Sequence, residues 1–493
     1  MAERTMAKKA LRLNTILAVA SCKCVRSVLR HTGKGGGTAL PGKVAMKFQK
    51  DVLETVSDGV DCIVVTGTNG KTTTANILES ALTESGRDVL ANKSGANLLS
   101  GITAEFCCAA DWLGRPKKKV AVIECDEGAL KQVAPRIHPR VIVVTNLFRD
   151  QLDRYGEVMN TLAQIRSGVE KAPQATLVLN AEDSLVSSLA LDVPNRVVYF
   201  GLNTPVGDQK PREISDALHC IRCGTEYQYH YYTYAHLGDF ACPKCGYHRA
   251  KPDFAVQSID RMEADGSEVT MKIGGETRSV AIGLPAVYNI YNAAAAIAAY
   301  VTFGGEPSEI IRSLKGVHSS FGRMEKFELP RKIMTKAESG NPAAAADATA
   351  AGMNVVVPVR MILVKNPAGC SQTIAYLCSL AEDFQLVICL NDRTADGHDI
   401  SWIWDADYEK LAACRHIREV WVSGDRAEDL RLRLKYAGVK TDRIHLEKDN
   451  EKLLAMMQES SLPVFVMPNY TSMLALRKVL SDATGKKAFW EKQ

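Results

Sequence analysis

The chain has 493 residues, 46% of them hydrophobic and 24% charged, with a formal net charge of +5; the length predicts two or three domains and the composition an ordinary globular protein. So small a basic excess gives no reason to expect a nucleic-acid partner, which demands a concentrated basic face. No apolar run approaches the roughly 20 residues that span a bilayer, and most of the 14 cysteines lie in apolar runs (Cys62, Cys107, Cys125, Cys389), which suits a reducing compartment rather than a disulfide framework.

Residues 1–50 read as a basic helical arm (Lys8, Lys9, Arg12, Lys23, Arg26, Arg30) and a glycine-rich turn. Its apolar stretch at 13–21 is short and runs into Cys22-Lys23-Cys24, so it reads as part of an amphipathic helix rather than a secretory leader. Such a helix is either a solvated face or a contact with a membrane surface, and both stay open.

Residues 51–330 are expected to form the central domain. The β-branched run at 62–65 predicts a buried strand, and Ile77, Leu78 and Leu82 have the spacing of a helix over 72–82. Between them lies Gly67-Thr68-Asn69-Gly70-Lys71-Thr72. Glycines let backbone N–H groups turn toward an anion, the helix N-terminus adds partial positive charge, and Lys71 reaches a terminal phosphate. Thr72 or Thr73 offers a hydroxyl to Mg2+. The commonest phosphate loop has a further glycine five residues before the Gly-Lys pair, where this chain has Val65.

Further strands are expected at 120–123, 141–145 and 176–180, alternating with helices, the order of a doubly wound parallel sheet. The first is followed by "ECDEGAL" and the second by "NLFRDQLDRYG". Acidic groups at such strand ends sit where parallel sheets bind ligands, so Glu124 is expected to hold Mg2+; alone, it would read equally well as a surface carboxylate.

About residues 215–250 the composition changes. "CIRC" and "CPKC" supply Cys220, Cys223, Cys242 and Cys245, two Cys-x-x-Cys pairs of the kind that close a tetrahedral Zn2+ site with no open position, hence structural. Tyr227, Tyr229, Tyr231 and Tyr232 in this insertion lack accompanying basic residues, which argues against a nucleic-acid ribbon. Residues 331–360 read as a linker with an Ala-rich insertion. Residues 361–493 form a second, Rossmann-like α/β domain, with strands expected at 361–364, 386–390, 420–422 and 464–467.

These motifs, in this order, resemble the Mur ligase family. Its compact phosphate loop matches Gly67 to Thr72, its strand-end glutamate Glu124, and its "TN…DHLDRHG" stretch Thr145, Asn146, Asp150, Leu152, Asp153, Arg154 and Gly156. "YNIYNAAAA" and "GRMEKF" carry Asn289, Asn292 and Arg323, which the resemblance places near the nucleotide. It implies ATP and Mg2+, phosphorylation of a carboxylate, and attack of an amine on the acyl phosphate. Two departures stand out: only a helical arm precedes the loop, so a substrate held by its uridine is not expected, and Gln151 replaces the family's histidine, which weakens any second-metal assignment.

Within the family the chain is similar to the MurT-like branch, by the short arm, the four-cysteine ribbon and the stretches "LVKNPAG", "LNDRTADGHDISWIWDADYE" and "SGDRAEDLRLRLKYAG". This implies amidation of the D-glutamate α-carboxylate of lipid II to D-isoglutamine, with ammonia from a GatD-like glutamine amidotransferase partner in a heterodimer, in the cytoplasm at the inner membrane face. It also implies an aspartate lent to the partner's Cys-His pair, with Asp405 chosen and Asp399 close behind; turn capping is the competing reading of this segment and the favoured one for Asp392 and Asp396. Trp402 and Trp404 read equally as core or as partner anchors.

The residues themselves show what must come from elsewhere. Glutamine hydrolysis needs an activated cysteine, and Cys370 in "AGCSQ" lacks the second glycine of a nucleophile elbow, so it reads as a packing or loop cysteine. The alternatives are a free-standing Mur-type amino-acid ligase of the folylpolyglutamate synthase kind, a catalytically silent binding subunit, which intact Lys71 and Glu124 disfavour, and a nucleic-acid ribbon module, which the weak charge disfavours.

Overall fold

The structure is a computed structural model and describes residues 2–31, 39–92, 96–150, 158–206, 216–263, 265–317, 323–332 and 355–486. It divides into two compact units, Met1–Arg149 with Tyr155–His318, and Asp150–Arg154 with Ser319–Gln493.

The first unit is built on β1 (Asp61–Thr66), β2 (Val89–Ala91), β3 (Val120–Glu124), β4 (Val141–Val144), β5 (Thr176–Asn180) and β6 (Val197–Leu202). After the paired strands β7 (Gln228–Tyr234) and β8 (Leu237–Ala241) come β9 (Phe254–Glu263), β10 (Gly266–Ile273) and β11 (Glu276–Ile282). The sheet order is β11-β10-β9-β6-β5-β4-β1-β3-β2. Strands β1 to β6 pair in parallel, β9 joins β6 in parallel, and β10 and β11 continue from β9 as an antiparallel edge. Cys62, Ile63, Val64 and Val65 are fully buried, as expected for a strand covered on both faces.

The chain leaves β1 toward β2 and β3 on one side and reaches β4 to β6 on the other, so β1 is the point where strand order reverses, the place where open α/β sheets bind ligands. Val65 pairs with Glu124 and Thr66 with Val144. The loop after β1 therefore opens between the ends of β3 and β4.

The arm is integral to this unit. Helices Ala2–His31 and Leu40–Phe48 place Ala18, Val19, Cys22 and Ala45 in the same core as β1 and β3. Arg26 donates to both oxygens of Glu105 at 3.0 Å, and a Cβ on Gly42 would lie 1.8 Å from the Ser100 carbonyl, so only glycine permits that approach. Among the described residues no helix is long and apolar enough to cross a membrane.

The second unit has strand order β12-β13-β17-β14-β15-β16, from β12 (Arg323–Pro330), β13 (Val356–Ile362), β14 (Phe384–Cys389), β15 (Ile417–Ser423), β16 (Ile444–Leu446) and β17 (Val464–Pro468). All pairs are parallel except β12 with β13. This moves the expected boundaries. Residues 323–330 leave the central domain for the second sheet, because they pair antiparallel with β13, which itself begins at 356 rather than 361. Arg477 donates to both oxygens of Glu325 at 2.9 Å, a buried pair that ties β12 to helix Tyr470–Thr484. The insertion at 338–352 and Gln151 lie outside the described residues.

Candidate nucleotide site and cysteine cluster

Gly67 (φ 118°) and Gly70 (φ 87°) hold the loop in conformations that favour glycine. A Cβ on Gly67 would lie 2.4 Å from Thr145 Oγ1, and one on Gly70 2.0 Å from Asn292 Oδ1. The loop is braced from β4: Asn69 N–H donates to Asn146 Oδ1 (2.9 Å), while Thr145 Oγ1 and Asn146 Nδ2 donate to the Asn69 carbonyl (2.7 and 3.1 Å). Thr68 Oγ1 accepts from Phe148 N–H (3.0 Å) and donates to the Phe148 carbonyl (3.2 Å). Helix Lys71–Glu84 starts at Gly70 with no side-chain cap, which leaves its first N–H groups for an anion.

Lys71 is buried and donates to the Gly67 carbonyl at 2.6 Å and to Glu127 Oε1 at 2.9 Å. Burial alone pulls the Lys71 pKa down, but Glu127, then Glu124, outweigh it and hold the pKa above its usual value. Thr72 Oγ1 donates to Glu124 Oε2 at 2.6 Å, and Asn97 Nδ2 lies 3.4 Å from the other oxygen. Asn92 fixes the Glu124 backbone from both sides, at 2.9 Å to its N–H and 2.7 Å to its carbonyl. A hydroxyl beside a carboxylate is the hard oxygen donor set that Mg2+ takes, so these residues fit that ion. Thr73, the next hydroxyl, is half-buried.

Asn289 and Asn292 lie on helix Val287–Thr302, buried, with Asn289 Nδ2 donating to the Pro285 carbonyl at 2.6 Å and Asn292 Nδ2 to Asn289 Oδ1 at 3.3 Å. Arg323 opens β12 in the second unit, and its side chain is outside the described residues. Glu127 was not singled out by the sequence; the signal was present, since "ECDEGAL" offers three acids and only the turn after β3 selects which one meets Lys71.

Cys220, Cys223, Cys242 and Cys245 converge, with all four Sγ atoms within 4.8 Å of one another. Cys220 and Cys245 are 3.5 Å apart, as are Cys223 and Cys242. That is far beyond a disulfide and near the roughly 3.8 Å edge of a tetrahedron with Zn–S bonds of about 2.3 Å. Each pair ends in a tight turn through a positive-φ glycine, Gly224 or Gly246, and the cluster sits on Tyr227, Phe240 and Tyr247. The donors and spacing fit zinc.

In the second unit, Asp399 Oδ1 accepts from Ser401 N–H at 2.8 Å and Asp405 follows the short turn Ser401–Trp404, both partly exposed. Arg433 pins this turn from beneath, donating to the carbonyls of Ile403 (3.0 Å) and Ala406 (2.9 Å). Trp404 is 48% exposed, whereas Ile403 is buried. Asp396 accepts from the Thr471 N–H at 2.8 Å, a structural use, and Asp392 faces Arg426 at 3.7 Å, both side chains partly exposed. Cys370 is fully buried in helix Pro367–Cys378, with burial pushing its thiol up to about 12; it is a packing cysteine.

Residues 65–300 match the Mur ligase middle domain and residues 363–473 the MurT ligase C-terminal family. The chain is 32% identical over 481 residues to lipid II isoglutaminyl synthase (glutamine-hydrolyzing) subunit MurT of Streptococcus pneumoniae, covering 96% of this chain and 98% of that one. It is 34% identical over 475 residues to the same subunit of Staphylococcus aureus strain N315, covering 94% and 97%. Among solved structures, a pseudomurein peptide ligase type C from Methanothermus fervidus superposes with a TM-score of 0.61 at 20% identity, covering 88% of this chain and 80% of that one, a likeness of fold. With a phosphate loop at the switch point, a strand-end glutamate beside it and near full-length similarity to these subunits, the chain belongs to the Mur ligase family, in its MurT branch.

Proposed function

We propose that the protein is the ATP-dependent synthase subunit of a lipid II isoglutaminyl synthase. The observation that carries this reading is the placement of Lys71, Thr72 and Glu124 around one loop mouth, in a chain similar to MurT subunits over nearly its whole length.

The substrate carboxylate oxygen bonds to the γ-phosphorus of ATP while the bond from that phosphorus to the β-phosphate oxygen breaks and ADP leaves. Ammonia then attacks the acyl carbon, phosphate departs with the carbon–oxygen electron pair, and the nitrogen loses a proton to give the amide. Lys71, kept protonated by Glu127 and Glu124, would offset charge on the transferring phosphoryl group, and the uncapped helix N-terminus would add N–H donors. Mg2+, held by Thr72 and Glu124, would supply Lewis-acid stabilisation of the phosphate oxygens when bound. Asn289 and Asn292 complete the proposed nucleotide contacts within this unit.

The four cysteines would hold a structural Zn2+. Ammonia would come from a GatD-like glutaminase, with Asp405 or Asp399 lent to its Cys-His pair, and the reaction would take place at the inner membrane face where lipid II resides. The match of residues 363–473 to the MurT C-terminal family favours this over a free-standing amino-acid ligase. Mass spectrometry of lipid II after incubation with ATP, Mg2+ and a nitrogen donor tests the reading, since one stem carboxyl becomes an amide.

A further inference from the structure

Two networks run from the hairpin of the cysteine-bearing insertion to the phosphate loop. In the first, His236, in the turn between β7 and β8, is buried with its side chain 1% exposed and its Nε2 3.4 Å from Asp183 Oδ1. Its ring lies 4.9 Å from that of Phe148, which Tyr234 also stacks on at 5.7 Å. Asp183 accepts from the N–H groups of Leu147 (2.7 Å), Leu185 (3.0 Å) and Val186 (3.1 Å). Leu147 and Phe148 directly follow the Thr145-Asn146 brace, and Phe148 exchanges two hydrogen bonds with Thr68. One residue, Phe148, therefore separates His236 from the loop.

The second network reaches the opposite side of the loop. Thr233 Oγ1 shares a 2.7 Å hydrogen bond with the Tyr291 hydroxyl, which donates to Glu182 Oε2 at 2.7 Å, and Tyr234 meets the Tyr291 ring edge-on at 5.5 Å. Tyr291 precedes Asn292, whose Oδ1 occupies the space beside Gly70.

We infer that the hairpin is a brace for the phosphate loop, with His236 as a positioning residue that fixes Thr68 through Phe148 while Thr233 and Tyr234 fix Gly70 through helix Val287–Thr302. The insertion then sets the affinity for nucleotide as well as covering the sheet. This rests on reading the loop as the ATP site. A four-cysteine knot at the base of the hairpin holds the two strands, and their tip does the positioning. Holding a loop in its bound geometry lowers the ordering cost of binding, so loosening it raises the Kd for nucleotide without removing any group that touches phosphate.

The test is titration of the full chain with a fluorescent ATP analogue plus Mg2+. The wild type, His236→Ala, His236→Gln and Thr233→Val are compared, with His230→Ala as a control on the same hairpin, since the His230 side chain is 78% exposed and faces Asp239 at 3.1 Å, away from Asp183 and Phe148 in the network above. His236→Ala is expected to raise Kd about 10-fold at unchanged stoichiometry, His236→Gln, which keeps a donor toward Asp183, to recover most of that, and His230→Ala to leave it unmoved. A purely structural role would lower the folded fraction, and hence stoichiometry, at wild-type Kd, and that result would overturn the inference. Should His236→Ala not fold, Thr233→Val decides: a raised Kd supports the brace and an unchanged one overturns it. Failure of the wild type to bind the analogue would instead remove the ATP reading and the brace with it.

Discussion

Lys71 Nζ lies 2.9 Å from Glu127 Oε1, and both side chains are over 90% buried. A charge pair this enclosed is costly to break from one side, because the remaining partner stays desolvated and unpaired. Lys71→Met is therefore expected to lower ATP turnover at least about 100-fold and to destabilise the chain by about 3 kcal/mol. Adding Glu127→Gln removes the stranded carboxylate and should restore much of the melting temperature while leaving turnover low. Thermal melts and ADP release, measured together, check both halves.

The Thr72 to Glu124 contact of 2.6 Å predicts a magnesium phenotype. Glu124→Ala is expected to lose about 100-fold in turnover and to need more Mg2+ for half-maximal rate. Thr72→Ser keeps the hydroxyl and should stay close to wild type, whereas Thr72→Val should follow Glu124→Ala. Rates across a Mg2+ titration distinguish them.

The nucleotide site was half legible in the sequence. Lys71, Thr72 and Glu124 follow from a strand, a glycine loop and a strand-end acid in a recognisable order, and β1, β3, β4 and β5 fell where their β-branched runs stand. Glu127 depends on the turn of residues 125–129, and Asp183, Glu182 and His236 meet only because β5 and an inserted hairpin come together, so no local pattern marks them. The domain boundary was misread for a similar reason: β12 finds β13 across more than twenty intervening residues, and antiparallel pairing over that distance leaves no periodicity to read. The arm was read as a separate segment because its basic residues dominate, whereas Val19 and Cys22 are fully buried against the core.

The cysteine cluster predicts one zinc per chain, measurable by metal analysis of the purified protein. Cys223→Ser with Cys242→Ser should remove it and lower the melting temperature by at least about 5 °C. A metal-free wild type with an unchanged melt on adding chelator would contradict the assignment.

Glu182 is fully buried, and burial raises its carboxyl pKa from 4.5 to about 7, against the opposing effects of Arg249, Tyr291 and the Leu202 N–H. Between these values the folded chain holds a proton that the unfolded chain has released. The contribution to stability is thus full below the unfolded pKa and lost as pH rises through the folded one, on the order of 3 kcal/mol in total. Glu182→Gln keeps an oxygen for Tyr291 and Leu202 but cannot ionise, so its stability should fall less than that of the wild type between about pH 5 and 8. Denaturant midpoints at a series of pH values give the slopes.

Asp399 and Asp405 flank the turn Ser401–Trp404, which Arg433 holds in place through the carbonyls of Ile403 and Ala406. If one of them serves the glutaminase, its change to Ala should spare amidation driven by ammonium and abolish most of that driven by glutamine with the partner. The aspartate whose loss separates the two donors is the one lent across the interface; equal loss with both donors would assign the turn a structural role only.

The most direct test of the central claim is mass spectrometry of lipid II incubated with this chain, ATP and Mg2+, with ammonium, glutamine, or glutamine plus a GatD-like glutaminase as nitrogen source. The account predicts one stem carboxyl converted to an amide with ammonium, and with glutamine only when the glutaminase is present. ATP turnover with no amidation under any of the three conditions would contradict it and point to an amino-acid ligase with another acceptor.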